Sequence, residues 1–419
     1  MSRDPRLRVA VLARAVRPLH GTGGLERSVY DLVRHLAARD VAVTLITPPP
    51  GDVWRQAPDD PFGSPFITVR HVPYVSFPYA NRRGTTILDR SSAYPWFGWR
   101  AGRAARALVR SRQIDIVHAF GASGLGYASG KRAGDAPLVL NPQGLEEFGA
   151  SAAQPPRLKH LGYAPLRLAV RRCARAAEAI IATDRALEPV VTRHLSPREG
   201  QMVTIPNGLD LAEVCALAGP ADGRMQRQRH GIADGEFVVL SVGRLEHNKG
   251  FDILARALDV VRRRQPALDA RGWRWVIAGA GPYRPALEAL VQSLDLGAHV
   301  HFAGRVSDVD LHAWYEAASV FVHPTRYEGS SLVTLEAMAH RRAVIATRAG
   351  GLPDKVVPEE TGWLVPVEDV NALADALTEA LTTSHLAAFG VAGRQKVEAE
   401  FSWPVLADQT LALYERLLA

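Results

Sequence analysis

The sequence predicts an α/β protein made of two consecutive doubly wound domains, each a parallel sheet with helices on its faces. Three observations point there. Short β-branched runs alternate with longer amphipathic stretches along the whole chain, the pattern of βαβ units. The pattern restarts beyond a Pro206-Asn207-Gly208 turn, which reads as a hinge. The 419 residues fit two or three domains at roughly 100–200 residues each.

In the first half Arg8–Ala13 reads as a strand, Gly21-Thr22-Gly23-Gly24 as a turn, and Leu25–Arg39 as a helix. Val29, Leu32, Val33 and Leu36 fall on one face of that helix. Val41–Thr47, Ile114–Ala119, Pro137–Asn141, Ile180–Thr183 and Met202–Ile205 read as further strands. Pro48–Arg100, rich in proline and aromatics, reads as a decorated loop region or an insertion. In the second half Phe237–Val242 is a strand, Gly243–Gly250 a loop and Phe251–Arg264 a helix. Trp275–Ala278, Val300–Phe302, Val320–His323 and Val344–Thr347 are strands, and Pro285–Leu294 is a helix. A final helix opens at Glu400-Phe401-Ser402-Trp403-Pro404. The domains are therefore expected at 1–205 and 206–400, with a C-terminal helix, 401–419, packing back on the first.

Composition removes several classes. Hydrophobic residues at 47% and charged residues at 22% argue against long disorder. Two cysteines without CxxC or Cys/His spacing support neither a disulfide framework nor a structural zinc site. No apolar run approaches the ~18 residues of a membrane span, and no apolar signal core precedes the first strand. The expectation is a soluble, cytoplasmic protein. The net charge of +7 is unevenly spread, the first half being basic and the second acidic. A basic half suits nucleic acid, an anionic membrane or a phosphorylated substrate.

Two segments carry chemistry. In Gly243-Arg244-Leu245-Glu246-His247-Asn248-Lys249-Gly250 a strand runs into glycine, and two cations sit in a loop that opens a helix. That arrangement suits a diphosphate, although the same residues also fit an ordinary charged surface loop. It is not a Walker loop. The second segment is Glu328-Gly329-Ser330-Ser331-Leu332-Val333-Thr334-Leu335-Glu336. Ser330 or Ser331 is placed to cap a helix holding Glu336. Helical geometry over the whole stretch would part the carboxylates by roughly 12 Å, beyond the ~5–9.5 Å pair of a glycosidase. They are expected to hold different parts of one ligand.

These residues resemble the E-x7-E signature of the retaining GT-B nucleotide-sugar glycosyltransferases, particularly glycosyltransferase family 4. The resemblance covers nearly the whole chain. Gly23-Gly24 with Glu26 is similar to the family's N-terminal glycine loop, Asp115-Ile116-Val117-His118 to its D-[IV]-[IV]-H strand, and Ile205-Pro206-Asn207-Gly208-Leu209-Asp210 to its linker. Val242-Gly243-Arg244-Leu245 with Lys249-Gly250, Gly279-Ala280-Gly281-Pro282, Phe302-Ala303-Gly304 and Gly350-Gly351-Leu352-Pro353 match further stations.

The resemblance implies two Rossmann-like domains facing across a cleft, with the nucleotide-sugar donor on the second and the acceptor on the first. It makes Glu336 the partner of the donor ribose and Glu328 a contact of the transferred sugar. Arg244 and Lys249 would stabilise the leaving diphosphate. Gly243 and the amides of Ser330, Ser331 and Leu332 would bind donor phosphate. Gly23 and Gly24 would close over the phosphates, and His118 would face the sugar. Front-side attack, with the leaving phosphate taking the acceptor proton, needs no side-chain base. The expected partners are a UDP- or GDP-sugar and a glycan or lipid-linked acceptor in lipopolysaccharide, capsule or glycolipid assembly. No cofactor, metal or nucleic acid is expected. The departures from family pattern are Ser330-Ser331-Leu332-Val333 in the first glutamate's loop, Gln143-Gly144 after the Pro137–Asn141 strand, and Asp354. They bear on sugar identity. Rival expectations are a sugar-nucleotide epimerase or hydrolase, and a non-catalytic binder of anionic surfaces.

Three signals receive plainer readings. Asp308-Val309-Asp310 is a DxD, but capping by Ser307 or Asp308 accounts for it. His20 reads as a solvated loop histidine. Gly279-Ala280-Gly281 lacks the third glycine and acidic partner of a dinucleotide fingerprint. Finally, Tyr94-Pro95-Trp96-Phe97-Gly98-Trp99 precedes Arg100, Arg103, Arg106, Arg110 and Arg112 in a helix-like run, and Arg167, Arg171, Arg172 and Arg175 form a second basic set. Such faces suit peripheral association with an anionic bilayer. A solvated helix with its tryptophans in the core is the alternative.

Overall fold

The computed structural model describes residues 5–21, 23–50, 61–75, 85–149, 161–266 and 272–419. The chain divides into two compact units, Met1–Asn207 with Trp403–Ala419, and Gly208–Ser402. The final helix, Trp403–Leu418, thus belongs to the first unit.

The first unit holds a seven-stranded sheet in the order β3-β2-β1-β4-β5-β6-β7. Its strands are β1 Leu7–Leu12, β2 Val41–Thr47, β3 Ile67–His71, β4 Ile116–Phe120, β5 Leu138–Asn141, β6 Ala179–Ala182 and β7 Met202–Thr204. Every neighbouring pair is parallel. The central strands are buried on both faces, so they read as unbroken apolar runs rather than alternating ones. Alternation decides only which layer each residue joins. Ala10, Leu12, Val117 and Ala119 face one core, and Val9, Val11, Ile116 and Phe120 face the other.

The second unit repeats the plan with β8 Phe237–Val242, β9 Trp273–Ala278, β10 Val300–Gly304, β11 Val320–His323, β12 Ala343–Thr347 and β13 Gly362–Val365. Their order is β10-β9-β8-β11-β12-β13, again all parallel. In both units the order reverses beside the first strand. Ligands bind outside the carboxyl ends of strands at such a switch point, and the loops after β8 and β11 both lie there.

Pro48–Arg100 is more regular than its composition suggests. It contains β3, whose residues are half-buried or exposed, and the first part of a 26-residue helix, Thr85–Arg110. Pro95 lies inside that helix, where it removes one hydrogen bond. Burial of Phe97, Ala101 and Ala105 in the first core holds the helix together despite it. Residues 51–60 and 76–84 lie outside the described residues.

Candidate active site

The second unit builds its site from two loops at the switch point. β8 ends at Val242 and runs into Gly243, and the loop closes in a turn at His247–Lys249 before the Phe251–Arg264 helix. Gly250 has φ +67°, and a Cβ there would stand 1.9 Å from the Pro324 carbonyl oxygen. Only glycine allows this turn to press on the loop after β11. The contact is reinforced from the other side. Thr325 Oγ1 and the Arg326 amide both donate to the Asn248 carbonyl, at 2.9 and 2.8 Å. Arg326 also grips Asp252 with two parallel bonds of 2.8 and 2.9 Å. Burial resists the Asp252 charge, but Arg326 outweighs it and lowers the carboxyl's pKa.

This clamp brings Lys249 to Glu328. Glu328 Oε2 accepts from Lys249 Nζ at 2.6 Å and from His323 Nε2 at 2.7 Å. Burial alone would push the carboxyl up, but His323 and Lys249 more than reverse it and hold its pKa at about 2. Behind this loop Gly350, at φ +51°, would place a Cβ 1.6 Å from the Glu328 carbonyl oxygen. Gly350 is therefore the floor on which the Glu328 loop lies.

Ser331 occupies the N-cap of the Leu332–Ala339 helix. Its hydroxyl pairs with Thr334 Oγ1 at 2.9 Å rather than with a backbone amide. This corrects the expected side-chain cap. The Ser330 hydroxyl is buried without a protein partner. First-turn amides lack intrahelical acceptors, so this helix start offers donors to an anion. Glu336 lies inside the helix, 6% exposed, with Oε2 accepting from the Tyr315 hydroxyl at 3.0 Å. Arg244 stands apart from the cluster, exposed and paired with Glu246 at 2.7 Å. Chemically, the site pairs an ammonium with a carboxylate held ionised at neutral pH beside a helix start, and a second carboxylate lies along the same helix. His323, Tyr315 and Arg326 carry this geometry without having been singled out for it in the sequence, and Gly350 stood out there only as part of a family station.

The first unit has its own pocket at its switch point, about 350 Å³ in volume. Arg14, Glu26, Arg90, Phe120, Gln143 and Glu147 are among its lining residues. Gln143 and Leu145 hold left-handed backbone, φ +60° and +49°, a conformation that non-glycine residues adopt at functional loops. Gly23 and Gly24 are exposed at the start of the Gly24–Ala37 helix. His118 is elsewhere. It is 1% exposed, with Nδ1 2.6 Å from the Tyr414 hydroxyl of the final helix and its ring stacked on Phe120. Burial pushes its pKa down to about 3, so it is neutral at physiological pH. His20 is not solvated as expected, since Nε2 bonds the Pro48 carbonyl at 3.0 Å. The DxD reads as capping, because Ser307 Oγ accepts from the Asp310 amide at 3.1 Å.

The basic helix turns its aromatics two ways. Phe97 is buried and Tyr94 bonds the Phe120 carbonyl, while Trp96 is 54% exposed. Trp96, Arg100, Arg103, Ala107 and Arg110 form one exposed stripe, at helical spacing. Arg106 instead lies across Gly130. The Ala164–Ala176 helix packs against it and exposes Leu168, Arg172 and Arg175. Among the described residues no helix is long and apolar enough to cross a membrane, and no group of three or more His, Cys, Asp or Glu is arranged to hold a metal ion.

Known proteins place this architecture. The family described as Glycosyltransferase Family 4 matches residues 22–213, and Glycosyl transferases group 1 matches residues 222–396. The D-inositol 3-phosphate glycosyltransferase of Kineococcus radiotolerans is 30% identical over 98% of this chain and 95% of its own length. The GDP-mannose-dependent monoacylated alpha-(1-6)-phosphatidylinositol monomannoside mannosyltransferase of Corynebacterium glutamicum is 30% identical over 73% of this chain and 77% of its own. Among solved structures, the sucrose-phosphate synthase of Thermosynechococcus elongatus superposes with a TM-score of 0.73 at 27% identity, covering 98% of this chain and 99% of that one. Two parallel sheets of matching order, a glycine-bounded cation loop and the paired glutamates thus coincide with matches over both halves, and the chain belongs to the family 4 glycosyltransferases of the GT-B fold.

Proposed function

We propose that this enzyme transfers a sugar, with retained configuration, from a nucleoside diphosphate sugar to a hydroxyl of a phosphate-bearing or lipid-linked acceptor. The observation that carries the donor reading is the Lys249–Glu328–His323 cluster, with Glu336 along the adjoining helix. Lys249 and the helix start supply charge to the departing diphosphate, the term that phosphate departure most needs. Glu336 accepts from the ribose diol. Glu328, with its pKa near 2, is a poor proton acceptor and a weak nucleophile at neutral pH. It suits binding of sugar hydroxyls, not proton abstraction. That supports front-side attack with the leaving phosphate taking the proton. Arg244 would engage only after leaving Glu246. His118, neutral and buried, is assigned a structural part.

The acceptor reading rests on the pocket lined by Arg14, Arg90, Glu26, Glu147 and Phe120, where cations beside carboxylates and an aromatic face suit a polyol that carries a phosphate. Both relatives quoted above are named for acceptors containing an inositol phosphate, which favours the same chemistry here. The exposed Trp96 and Leu168 stripes suit a peripheral position on an anionic membrane.

Thermal shift with UDP-, GDP- and ADP-sugars on wild type and Glu336→Ala tests the donor site. A donor at 100 times its dissociation constant stabilises by about 2.7 kcal/mol. One nucleotide class should stabilise wild type and fail to stabilise the variant. Equal shifts in both proteins, or none with any donor, would sink the reading. Incubation of the stabilising donor with and without inositol phosphates, followed by NMR of the anomeric proton, separates retaining transfer from hydrolysis or epimerisation.

A further inference from the structure

Behind Glu336 lies a group of buried polar side chains with no part in the proposal above. The Tyr315 hydroxyl stands 3.0 Å from Glu336 Oε2 and 3.2 Å from the Val333 carbonyl. Its ring is fully buried. It stacks on His340 with centroids 5.7 Å apart and planes 7° from parallel, and it tilts against Phe321 at 5.8 Å. His340 is itself pinned at both nitrogens, Nδ1 to Glu316 Oε1 at 2.7 Å and Nε2 to His312 Nδ1 at 2.8 Å. Tyr315 and Glu316 belong to the Asp308–Ala317 helix, and Glu336 to the Leu332–Ala339 helix. The hydroxyl is therefore delivered by a neighbouring element whose ring cannot turn.

That matters because the last torsion of a glutamate is broad and nearly two-fold. Left to itself, the carboxylate samples planes that present one oxygen or two. A vicinal diol needs one plane, with acceptor positions facing it together. The Tyr315 hydroxyl gives Oε2 a donor of fixed position, which favours one plane, and it takes only one of the carboxylate's roughly four lone-pair sites. Burial keeps water from competing for this bond and so strengthens it.

We propose that Tyr315 is a positioning residue for donor recognition: by orienting the Glu336 carboxylate it sets the enzyme's discrimination between ribonucleotides and deoxyribonucleotides. The inference rests on the reading of Glu336 as the ribose partner. The alternative is that Tyr315 merely fills space between two helices and a strand. Tyr315→Phe separates the two, since it keeps the ring and removes one oxygen.

The test is calorimetric binding of UDP and GDP, with their 2′-deoxy and 3′-deoxy counterparts, to wild type, Tyr315→Phe and Glu336→Gln. Melting temperatures without ligand report any packing loss. Wild type is expected to prefer the ribonucleotide, and Glu336→Gln to lose the preference. Tyr315→Phe should weaken the ribonucleotide about tenfold, the usual worth of a hydrogen bond to a charged group. It should leave at least one deoxy form within twofold, so that the preference narrows. If Tyr315→Phe weakens every nucleotide equally, with or without a fall in melting temperature, or weakens none, while Glu336→Gln narrows the preference, the tyrosine has only a packing role. If Glu336→Gln keeps the preference, or neither nucleotide binds wild type, the ribose reading fails and the positioning role falls with it.

Discussion

Glu328 is held ionised by two donors on one oxygen, and that makes the charge cluster a source of pH-dependent stability. Its carboxyl lies at about 2 in the folded chain against an ordinary 4.5. A depressed carboxyl stabilises the fold fully above its unfolded value, and the contribution fades as pH falls from about 4.5 toward 2. Urea denaturation between pH 6 and pH 3 should therefore show a steeper loss for wild type than for Glu328→Gln, and parallel curves would contradict it. Lys249→Met removes one of the two donors and leaves a mostly buried carboxylate leaning on His323. The expected cost is about 2 kcal/mol of stability, below a fully buried pair because both side chains retain some exposure. Catalysis should suffer more. With the leaving diphosphate short of its ammonium, kcat/KM should fall about a hundredfold or further, as steady-state kinetics with a soluble acceptor would measure.

Loops make this site only because glycines let them touch. An alanine at Gly350 meets the Glu328 carbonyl and one at Gly250 meets the Pro324 carbonyl, both in left-handed backbone. Gly329, inside the same loop, has nothing within 4 Å of an added Cβ. Gly350→Ala and Gly250→Ala should each cost about 2 kcal/mol and raise donor KM at least tenfold, whereas Gly329→Ala should be close to wild type. Equal behaviour of the three variants would refute the stacked-loop account. The same contrast explains what was legible beforehand. Phe237–Val242 and Val320–His323 declare themselves as apolar runs because parallel strands are buried on both faces, and Gly243, Lys249, Glu328 and Glu336 stand out by spacing. The partners that orient them come from other elements. Tyr315 reaches Glu336 from a separate helix, and Arg326 reaches back to Asp252, so no local pattern marks either. Pro95 and a weakly buried β3 hid regular structure within Pro48–Arg100, because burial from neighbours overrode local propensity.

At the scale of the whole chain, charge and chemistry are divided between the two units. The proposed donor loops belong to the unit 208–402, and the arginine stripes to the unit containing Met1–Asn207. His118 illustrates the same division: a histidine in a family-like strand, it is tied to the final helix of its own unit through Tyr414. The proposed membrane contact can thus be tested independently of nucleotide binding. Arg100, Arg103, Arg110, Arg172 and Arg175 at about 1 kcal/mol each near an anionic surface sum to roughly 5 kcal/mol. That gives reversible attachment, further helped by Trp96 and Leu168. Vesicles containing 30% phosphatidylglycerol, about a third anionic lipid, should carry the protein upward on flotation at ~50 mM salt. At ~500 mM they should release much of it, since screening then acts within a few ångströms. Neutral vesicles should leave it behind. Trp96→Ser with Arg100→Glu and Arg103→Glu should abolish co-flotation yet keep the thermal shift with donor nucleotide, because the stripe and the donor loops lie in different units. Co-flotation unaffected by those changes, or absent from anionic vesicles at low salt, would leave the stripes as solvated helix faces.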